Sequence, residues 1–412
     1  MTRVIGWDIG GAHLKMALVE DGIVVDVRQL ACPLWLALEH LDVALRRGLA
    51  GWPDAECHAV TMTAELADLF PDRDSGVRAV LATLQSRVPP ERIRVYASDG
   101  SFLSPVGARR QPGRVASANW HASAAHAAAQ VQDGLLVDIG SSTTDLVPFR
   151  SGAVAATGTT DADRLASGEL VYRGVVRTPV MAIAPRVRVA GVRTAVMAEL
   201  FATSADVFRL TGGLPADADL QTTADGRGKS LEESRARLAR MVGRDSASAP
   251  DRVWDALARQ LAGMMLEEIV VASRRVAARP KLPRAAPVVG CGVGRFLARA
   301  VAKRLARPYR GYETLVSAAD GHVAAKAADA APAVAVALLA APSSALRRRA
   351  TAAGSSAPSR APVVKAERKP RKSGASGSSR GRSARRSEPA SPASSRRSRA
   401  KARKPASASG AR

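Results

Sequence analysis

Two segments of the sequence, about 130 residues apart, carry the side chains that a polyphosphate-binding hairpin needs. Each segment is an apolar stretch, then Asp-Ile-Gly, small residues and a second apolar stretch, with Asp8 in the first copy and Asp138 in the second. Glycine permits the positive-φ turn that folds one strand back on the next, and it leaves turn amides free to bind phosphate oxygens. One such hairpin is often only a tight turn, but the repeat predicts two facing hairpins that hold a polyphosphate between them.

The side chains of the two hairpins suggest metal, charge-neutralising and hydrogen-bonding roles. Carboxylates suit a hydrated Mg²⁺, which takes few protein ligands, and we predict metal ligation by Asp8, Asp138 and Asp145. Asp145 is equally suited to accepting backbone amide hydrogens at the turn. Lys15 would neutralise phosphate oxygens. The residues predicted to cradle the phosphates are Gly10, Gly11, Gly140, Ser141, Ser142, Thr143 and Thr144.

The hydrophobic pattern predicts the elements that position these hairpins. Each hairpin opens a half of the chain in which three strands are followed by alternating helices and strands. In the first half we expect strands within 3–29 and at 57–62 and 93–97, and helices at 34–49, 75–87 and 115–131. In the second half we expect strands near 135–139, 143–149, 153–158 and 286–289, and helices near 231–242, 251–278, 295–305 and 322–341.

These elements predict two domains and a tail. The first domain covers residues 1–130, and the second covers 131–342 with a substrate region inserted at about 159–230. From 343 to 412 the sequence is dominated by Ser, Ala, Arg, Lys and Pro and has no aromatic residue. Such a segment cannot bury enough apolar surface to offset its chain entropy, so we expect a disordered tail.

The tail carries most of the formal net charge of +24. Its 20 Lys and Arg against 2 Glu give +18, which leaves +6 for the rest of the chain. Counterion release would let the tail bind nucleic acid or anionic surfaces with little sequence choice. A solubilising extension explains the same composition. In either case the body is predicted to be an ordinary, mildly basic globular protein.

The cysteines and the apolar runs indicate a cytoplasmic protein. Cys32, Cys57 and Cys291 show no Cys-x-x-Cys spacing, so neither a zinc site nor a disulfide framework is predicted, and they fit a reducing compartment. Asp8 interrupts the first apolar stretch, which argues against a secretory signal. No run of about 18 apolar residues is present, so we expect no membrane contact. A homodimer and a monomer both remain open.

The duplicated βββαβα pattern, together with a glycine-rich turn at 290–294, resembles the actin, Hsp70 and sugar-kinase superfamily over residues 1–341. More narrowly, the segments 116–122, 168–180 and 223–227 resemble hydantoinase/oxoprolinase-like proteins linked to the tetrahydromethanopterin one-carbon pathway. The resemblance implies an α/β fold of two actin-like (ribonuclease H-like) domains with a cleft between them.

Archaeal relatives of that group are synthases of methanofuran biosynthesis. They join an aminomethyl-furanylmethyl diphosphate to the phenol of γ-glutamyltyramine and release diphosphate. The resemblance thus implies a transferase in which Asp8, Lys15 and Asp138 act on the diphosphate. It also implies that Mg²⁺ is the expected cofactor and that ATP is a less favoured ligand. An ATP-dependent kinase or an oxoprolinase-like hydrolase of the same fold is the alternative, and a nucleotide-dependent scaffold is a third.

A phenol with a pKa of about 10 needs a base during attack. The residues that offer one are Glu169, His121, Asp161 and Asp163. For substrate binding Arg177 is the clearest prediction, because arginine pairs with carboxylates in a bidentate fork and the γ-glutamyl arm carries them. The other predicted substrate contacts are Asn119, Tyr172, Thr178, Gly290, Gly292 and Gly294. A glycine triplet alone is a weak motif, and close packing of strand and helix explains it as well.

Overall fold

The computed structural model describes residues 1–341, which belong to one compact unit. The predicted disordered tail, 343–412, lies outside the described residues. The strands are Arg3–Ile9 (β1), His13–Glu20 (β2), Ile23–Ala31 (β3), Cys57–Met62 (β4), Ile93–Tyr96 (β5), Phe102–Leu103 (β6), Gly134–Ile139 (β7), Thr144–Arg150 (β8), Ala153–Val154 (β9), Leu170–Val171 (β10), Arg186–Val189 (β11), Val192–Ala195 (β12), Val288–Cys291 (β13) and Tyr309–Gly311 (β14).

Helices cover the faces of the sheets that these strands form. The helices are Glu39–Leu49 (α1), Arg73–Gln85 (α2), Pro105–Arg110 (α3), Pro112–Val115 (α4), Asn119–Val131 (α5), Asp161–Ser167 (α6), Val180–Ile183 (α7), Ser204–Leu210 (α8), Leu231–Arg240 (α9), Asp251–Ala278 (α10), Arg295–Leu305 (α11), Gly321–Asp329 (α12) and Ala331–Ala340 (α13). Short 3₁₀ turns lie at Ala64–Leu66, Pro90–Arg92, Ser246–Ser248 and Tyr312–Leu315.

The two main sheets repeat one strand order, and this confirms the predicted duplication. The first sheet runs β3-β2-β1-β4-β5-β6, and the second runs β10-β8-β7-β13-β14 with β9 beside β8. In each sheet an antiparallel hairpin, β1-β2 or β7-β8, lies next to a parallel strand, β4 or β13. The central strands are buried along nearly their whole length because helices cover both faces of the sheets.

Two helices, α5 and α13, lie between the sheets and join the two halves. Helix α5 follows the first sheet but packs on β7, β8 and β9, whereas α13 follows the second sheet and packs on β1, β2 and β4. The two helices also pack on each other. Alanine and glycine permit this close approach, because a Cβ added at Gly6 of β1 would overlap the backbone oxygen of Ala333 in α13.

Several element boundaries differ from the prediction for local reasons. The continuous helix at 322–341 is wrong, since the chain bends by 103° between α12 and α13. Pro332, in the first turn of α13, cannot donate a backbone hydrogen bond, and its ring would clash with the carbonyl of residue 328 in an unbroken helix. The helix predicted at 115–131 starts at Asn119, because Ser117 has φ of 49° and ends the preceding turn.

Two other segments are less regular than predicted. The helix expected at 34–49 begins only at Glu39. The chain before it is hydrogen bonded to the turn of the first hairpin, because Leu34 donates its amide hydrogen to the Gly11 oxygen at 3.0 Å. The strand expected at 153–158 stops at Val154. The amides of residues 157 and 158 donate to a carboxylate instead of to a neighbouring strand.

The inserted region at 159–230 holds α6, β10, α7, the separate β11-β12 hairpin and α8. Within residues 1–341, no single helix has the length and apolar character needed to cross a membrane; only the bent pair α12 and α13 passes that test jointly.

Candidate functional site

The two aspartate hairpins line one cavity of about 570 Å³, as the sequence repeat predicts. The first hairpin contributes Asp8, Gly10, Gly11 and Lys15, and the second contributes Asp138, Gly140, Ser141, Ser142, Thr143 and Asp145. Both turns close in the same way. The Gly10 amide donates to the His13 oxygen at 3.0 Å, and the Gly140 amide donates to the Thr143 oxygen at 2.9 Å.

In the first hairpin, Asp8 of β1 lies opposite Lys15 of β2 in the ladder. Asp8 is buried, and its Oδ1 has no hydrogen-bond partner among the described residues. Burial raises the pKa of the Asp8 carboxyl, although the positive charge of Lys15 opposes the change. A buried carboxylate oxygen without a partner is costly, so Asp8 is poised to receive a cation or a hydrogen-bond donor.

In the second hairpin, Asp138 lies opposite Asp145 across β7 and β8. Burial raises the pKa of Asp138 to about 7, with Lys15 acting against the rise and the carboxylates of Asp145 and Asp8 adding to it. The thiol of Cys291 also hydrogen bonds to Asp138. Three buried carboxyl groups and one partly buried lysine therefore line the same cavity.

The donor set fits a hydrated Mg²⁺. Within residues 1–341, no group of three or more His, Cys, Asp or Glu side chains is arranged to hold a metal by itself. Mg²⁺ needs no such cage, because it keeps several waters and binds one or two carboxylates together with substrate phosphates. The unpartnered Oδ1 of Asp8 and the raised pKa of Asp138 indicate where a cation would relieve the cost of burial.

Asp145 belongs instead to a buried ion pair. Arg164 Nη1 lies 2.8 Å from Asp145 Oδ1, and the Arg164 side chain is only 1% exposed. The same guanidinium stacks 4.1 Å from the ring centre of Trp120 and donates to the Glu169 backbone oxygen at 3.1 Å. Because Arg164 already holds an oxygen of Asp145, this carboxylate serves the second hairpin mainly by fixing Arg164 at the cavity wall.

The turn of the second hairpin is tied to the following loop. The Ser141 oxygen accepts from the Val176 amide at 3.1 Å and from the Arg177 amide at 2.8 Å. Gly174 makes this contact feasible, since a Cβ there would overlap the backbone of Ser141 and Ser142. The loop thereby places Arg177 beside the turn of the second hairpin.

Of four predicted substrate contacts, three line the cavity and the fourth, Thr178, does not. Asn119, Tyr172 and Arg177 line the cavity, and the Arg177 guanidinium lies 5.0 Å from the ring centre of Trp35. Thr178 is buried behind the loop. It accepts a hydrogen bond from the Gly174 amide at 2.8 Å and donates to the Gly174 oxygen at 3.0 Å, so its role is to brace the loop.

Thr144 and the glycine triplet also lie behind the cavity. Thr144 donates to the Arg173 oxygen at 2.6 Å. Gly292 has φ of 78°, and a Cβ there would overlap Asp138 Oδ1, whereas one at Gly294 would overlap Ile139. Gly290 is crowded by Tyr309. These residues are therefore packing positions that support the second hairpin, which corrects their prediction as ligand contacts.

Among the predicted bases, Glu169 is a structural carboxylate. It is fully buried and is not part of the cavity lining. Its Oε1 accepts from the Thr157 amide and hydroxyl, both at 2.8 Å, and its Oε2 accepts from the Gly158 amide at 2.9 Å. Arg279 approaches Oε1 at 3.5 Å. Both of its oxygens are occupied and it does not line the cavity, so Glu169 holds the loop at 157–158 instead of serving as the predicted base.

His121 and Asp163 are placed differently from the prediction as well. His121 Nδ1 is 2.9 Å from the Tyr96 hydroxyl, and burial lowers the pKa of the ring to about 4. Asp163 is exposed and forms the capping box of α6 with Thr160. Neither lines the cavity, whereas Asp161, at the first turn of α6, does.

Sequence reasoning missed several residues of the cavity wall. These residues are Ala12, His13, Trp35, Thr63, Leu66, Ala67, Asp68, Ser117, Trp120, Arg164, Leu170 and Pro332. Ser117 and Trp120 fall in the segment 116–122, and the family resemblance of that segment was a signal that could have identified them. Arg164 carried none, because a lone arginine in a sequence does not reveal that it will be buried.

Comparison with known proteins gives a family match. The model of the hydantoinase/oxoprolinase family matches residues 56–328. A synthase from Methanocaldococcus jannaschii, named (4-{4-[2-(gamma-L-glutamylamino)ethyl]phenoxymethyl}furan-2-yl)methanamine synthase, is 31% identical over 267 residues, which are 65% of this chain and 79% of that protein. The synthase of the same name from Methanococcus vannielii is 32% identical over 108 residues, or 26% of this chain and 48% of that protein. These relatives indicate an enzyme of the synthase kind.

The solved structures that match this chain have lower sequence identity to it. A nucleotide-free acetone carboxylase has a TM-score of 0.48 at 12% identity, with 81% of this chain and 70% of that chain covered. A ROK family glucokinase from Streptomyces griseus, in complex with glucose and AMPPNP, has a TM-score of 0.41 at 15% identity, with 81% and 98% covered.

Proposed function

The chain belongs to the hydantoinase/oxoprolinase family, and we propose that it is a transferase that makes an aryl ether in the biosynthesis of a methanofuran-type one-carbon carrier. Its substrates would be a furanylmethyl diphosphate and the phenol of γ-glutamyltyramine, and diphosphate would be the second product. The name of the archaeal relatives describes such a phenoxymethyl-furan product. The observation that carries the proposal is the single cavity in which two aspartate hairpins and Lys15 converge.

In the proposed reaction the phenolic oxygen attacks the methylene carbon of the furan. The bond between that carbon and the diphosphate oxygen breaks, its electron pair leaves with the diphosphate, and the phenolic proton passes to a base. Lys15 and the amides of the two turns would stabilise the charge that grows on the diphosphate, and such groups commonly lower a barrier by about 2–4 kcal/mol each. Mg²⁺ held by Asp8 and Asp138 would neutralise part of the same charge.

The other side of the cavity suits the acceptor. Arg177, held over Trp35 and fixed by the loop after Gly174, presents a guanidinium that can bind the γ-glutamyl carboxylate in a bidentate manner. Asn119 and Tyr172 complete this wall. A diphosphate on the hairpins and a carboxylate on Arg177 would align the phenol with the methylene carbon, and alignment alone accounts for much of such a rate enhancement.

The experiment is a two-substrate assay with the full chain. Purified protein, Mg²⁺, the furanylmethyl diphosphate and γ-glutamyltyramine are incubated without ATP, and ether mass and diphosphate release are followed. A γ-glutamyltyramine methylated on the phenol oxygen serves as the acceptor control, because it has no proton to lose. We expect stoichiometric ether and diphosphate with the first acceptor and neither with the second.

Two variants and a parallel reaction with ATP complete the experiment. Asp138→Asn should abolish ether formation, whereas the exposed Asp217→Asn should leave it unchanged. If ATP is turned over and no ether forms, the proposal is wrong and the chain acts as a kinase or hydrolase.

A further inference from the structure

We propose that Asp161 is the base that takes the proton of the acceptor phenol, and that Ser117 and Glu65 are positioning residues that set its basicity. This inference rests on the function proposed above. Asp161 and Ser117 line the cavity, while Glu65 lies directly behind them. Asp161 belongs to the second half of the chain and the other two to the first, so the three side chains meet across the cleft.

The remaining carboxylates of the cavity wall are less suited to the task. Asp8 and Asp138 face the phosphate-binding turns, and Asp145 is held by the buried Arg164. Asp68 lines the cavity but is exposed to water. Asp161 lines the cavity, is less buried than Asp145, and is held in one orientation by contacts of Arg73 and Ser117 with its Oδ2.

A single hydroxyl joins the two carboxyl groups. Ser117 Oγ lies 2.9 Å from Glu65 Oε1 and 3.1 Å from Asp161 Oδ2. A serine has one hydroxyl proton, so it can donate to only one of these oxygens at a time. When Glu65 is protonated, it donates to Ser117 and Ser117 donates to Asp161. When Glu65 is ionised, Ser117 donates to Glu65 and Asp161 loses that hydrogen bond.

The surroundings of Glu65 favour such a change near neutral pH. Glu65 is 1% exposed, and its Oε2 has no hydrogen-bond partner among the described residues. Burial raises the pKa of Glu65 to about 7, the nearby Asp161 charge adds to the rise, and the Ser117 hydrogen bond and the Arg73 charge oppose it. The charged groups that face Glu65 are thus Arg73 of α2 and Asp161 of α6.

The backbone holds Ser117 in a conformation that non-glycine residues rarely adopt. Its φ is 49°, in the left-handed region, and such residues persist only where the surrounding structure enforces them. Arg73 Nη2 fixes the far side of the network, 2.8 Å from Asp161 Oδ2. Both contacts use Oδ2, and within residues 1–341 Oδ1 of Asp161 has no hydrogen-bond partner. Oδ1 is therefore the oxygen that receives the phenolic proton.

The proton balance is simple. The phenol O–H bond breaks, its proton forms a bond to Asp161 Oδ1, and the phenolic oxygen bonds to the methylene carbon as the diphosphate leaves. A hydrogen bond from Ser117 stabilises the Asp161 carboxylate and weakens it as a base. Ionisation of Glu65 removes that hydrogen bond, so the rate of ether formation should rise with pH.

The test compares pH profiles of kcat for ether formation between pH 5.5 and 9. We expect Asp161→Asn to lower kcat by about 10²–10⁴-fold without changing diphosphate affinity, while Asp217→Asn, at an exposed position outside the cavity lining, stays within about threefold of wild type. Glu65→Gln should remove the rise near pH 7, because a glutamine side chain does not ionise and the hydrogen bonds around Ser117 then no longer change with pH. Ser117→Ala should also remove the rise but keep kcat at pH 6 at or above the wild-type value.

The outcomes separate the two proposals. Ether formation by wild type with an unchanged kcat for Asp161→Asn overturns the assignment of the base alone. If kcat still rises with pH as in wild type in both Glu65→Gln and Ser117→Ala, the positioning roles of Glu65 and Ser117 are wrong. Absence of ether from the wild-type reaction overturns the proposed function and this inference with it. Thermal unfolding of each variant shows that the comparison is made on folded protein.

Discussion

Replacing Glu65 by Gln should make the protein more stable at alkaline pH. Glu65 lies behind the cavity wall, is almost fully buried, and its Oε2 has no hydrogen-bond partner within residues 1–341. The folded protein therefore favours the neutral carboxyl. Glutamine has nearly the same shape, keeps a hydrogen bond to Ser117 and cannot ionise, so the variant removes the cost of a buried charge and little else.

The size of the effect follows from the pKa of Glu65, which moves from 4.5 to about 7 on folding. Each pKa unit corresponds to about 1.4 kcal/mol, so the full contribution is about 3 kcal/mol. Since the folded pKa is raised, this stability is fully present below pH 4.5 and is lost as the pH rises through 7. Wild type and Glu65→Gln should have similar unfolding free energies at pH 4.5, and the variant should gain about 3 kcal/mol by pH 9.

The assay is urea unfolding of both proteins at half-unit intervals from pH 4.5 to 9. Groups common to the two chains cancel in the difference, which isolates residue 65. The exposed Glu91→Gln is the matched control and should show a difference from wild type that does not vary with pH. A Glu65→Gln difference that is equally flat, or a loss of stability at pH 9, would refute the reasoning.

Three further substitutions test the supports of the site. Gly292→Ala should lower the unfolding free energy by about 1–3 kcal/mol more than Gly191→Ala, as measured by thermal unfolding. Both glycines have positive φ, but only a Cβ at Gly292 would overlap the Asp138 carboxylate. Arg164→Met should cost about 3–5 kcal/mol by leaving Asp145 buried and unpaired, and adding Asp145→Asn should recover part of that loss in urea unfolding. Arg177→Ala should raise KM for γ-glutamyltyramine but leave KM for tyramine unchanged in the ether assay.

The sequence predicted the fold and the two aspartate hairpins that line one cavity, because both depend on local signals. Asp-Ile-Gly between two apolar stretches forms a hairpin at both of its positions in this chain, and the repeat places Asp8 and Asp138 on equivalent strands. Symmetry then brings the two turns to one cleft. The break before α13 also had a local cause in Pro332, and only the apolar character of its neighbours concealed it.

The bases were harder to predict because burial and partnership arise from tertiary contacts. Glu169 and Glu65 are chemically identical, yet both oxygens of Glu169 accept from the amides of residues 157 and 158, whereas Oε2 of Glu65 has no partner in the part of the chain that the structure describes. Nothing near either residue in the sequence distinguishes them. Arg164 was missed for the same reason, since its partners Asp145 and Trp120 lie 19 and 44 positions away.

The most direct test of the central claim is to follow the bridging oxygen of the furanylmethyl diphosphate. The substrate is labelled with ¹⁸O between the methylene carbon and phosphorus, and mass spectrometry measures the masses of the products of the wild-type reaction with γ-glutamyltyramine. If the hairpins hold diphosphate as a leaving group, the carbon–oxygen bond breaks and all of the label appears in diphosphate, with none in the ether. Label retained on a furanylmethyl alcohol would mean attack at phosphorus, and it would contradict the account.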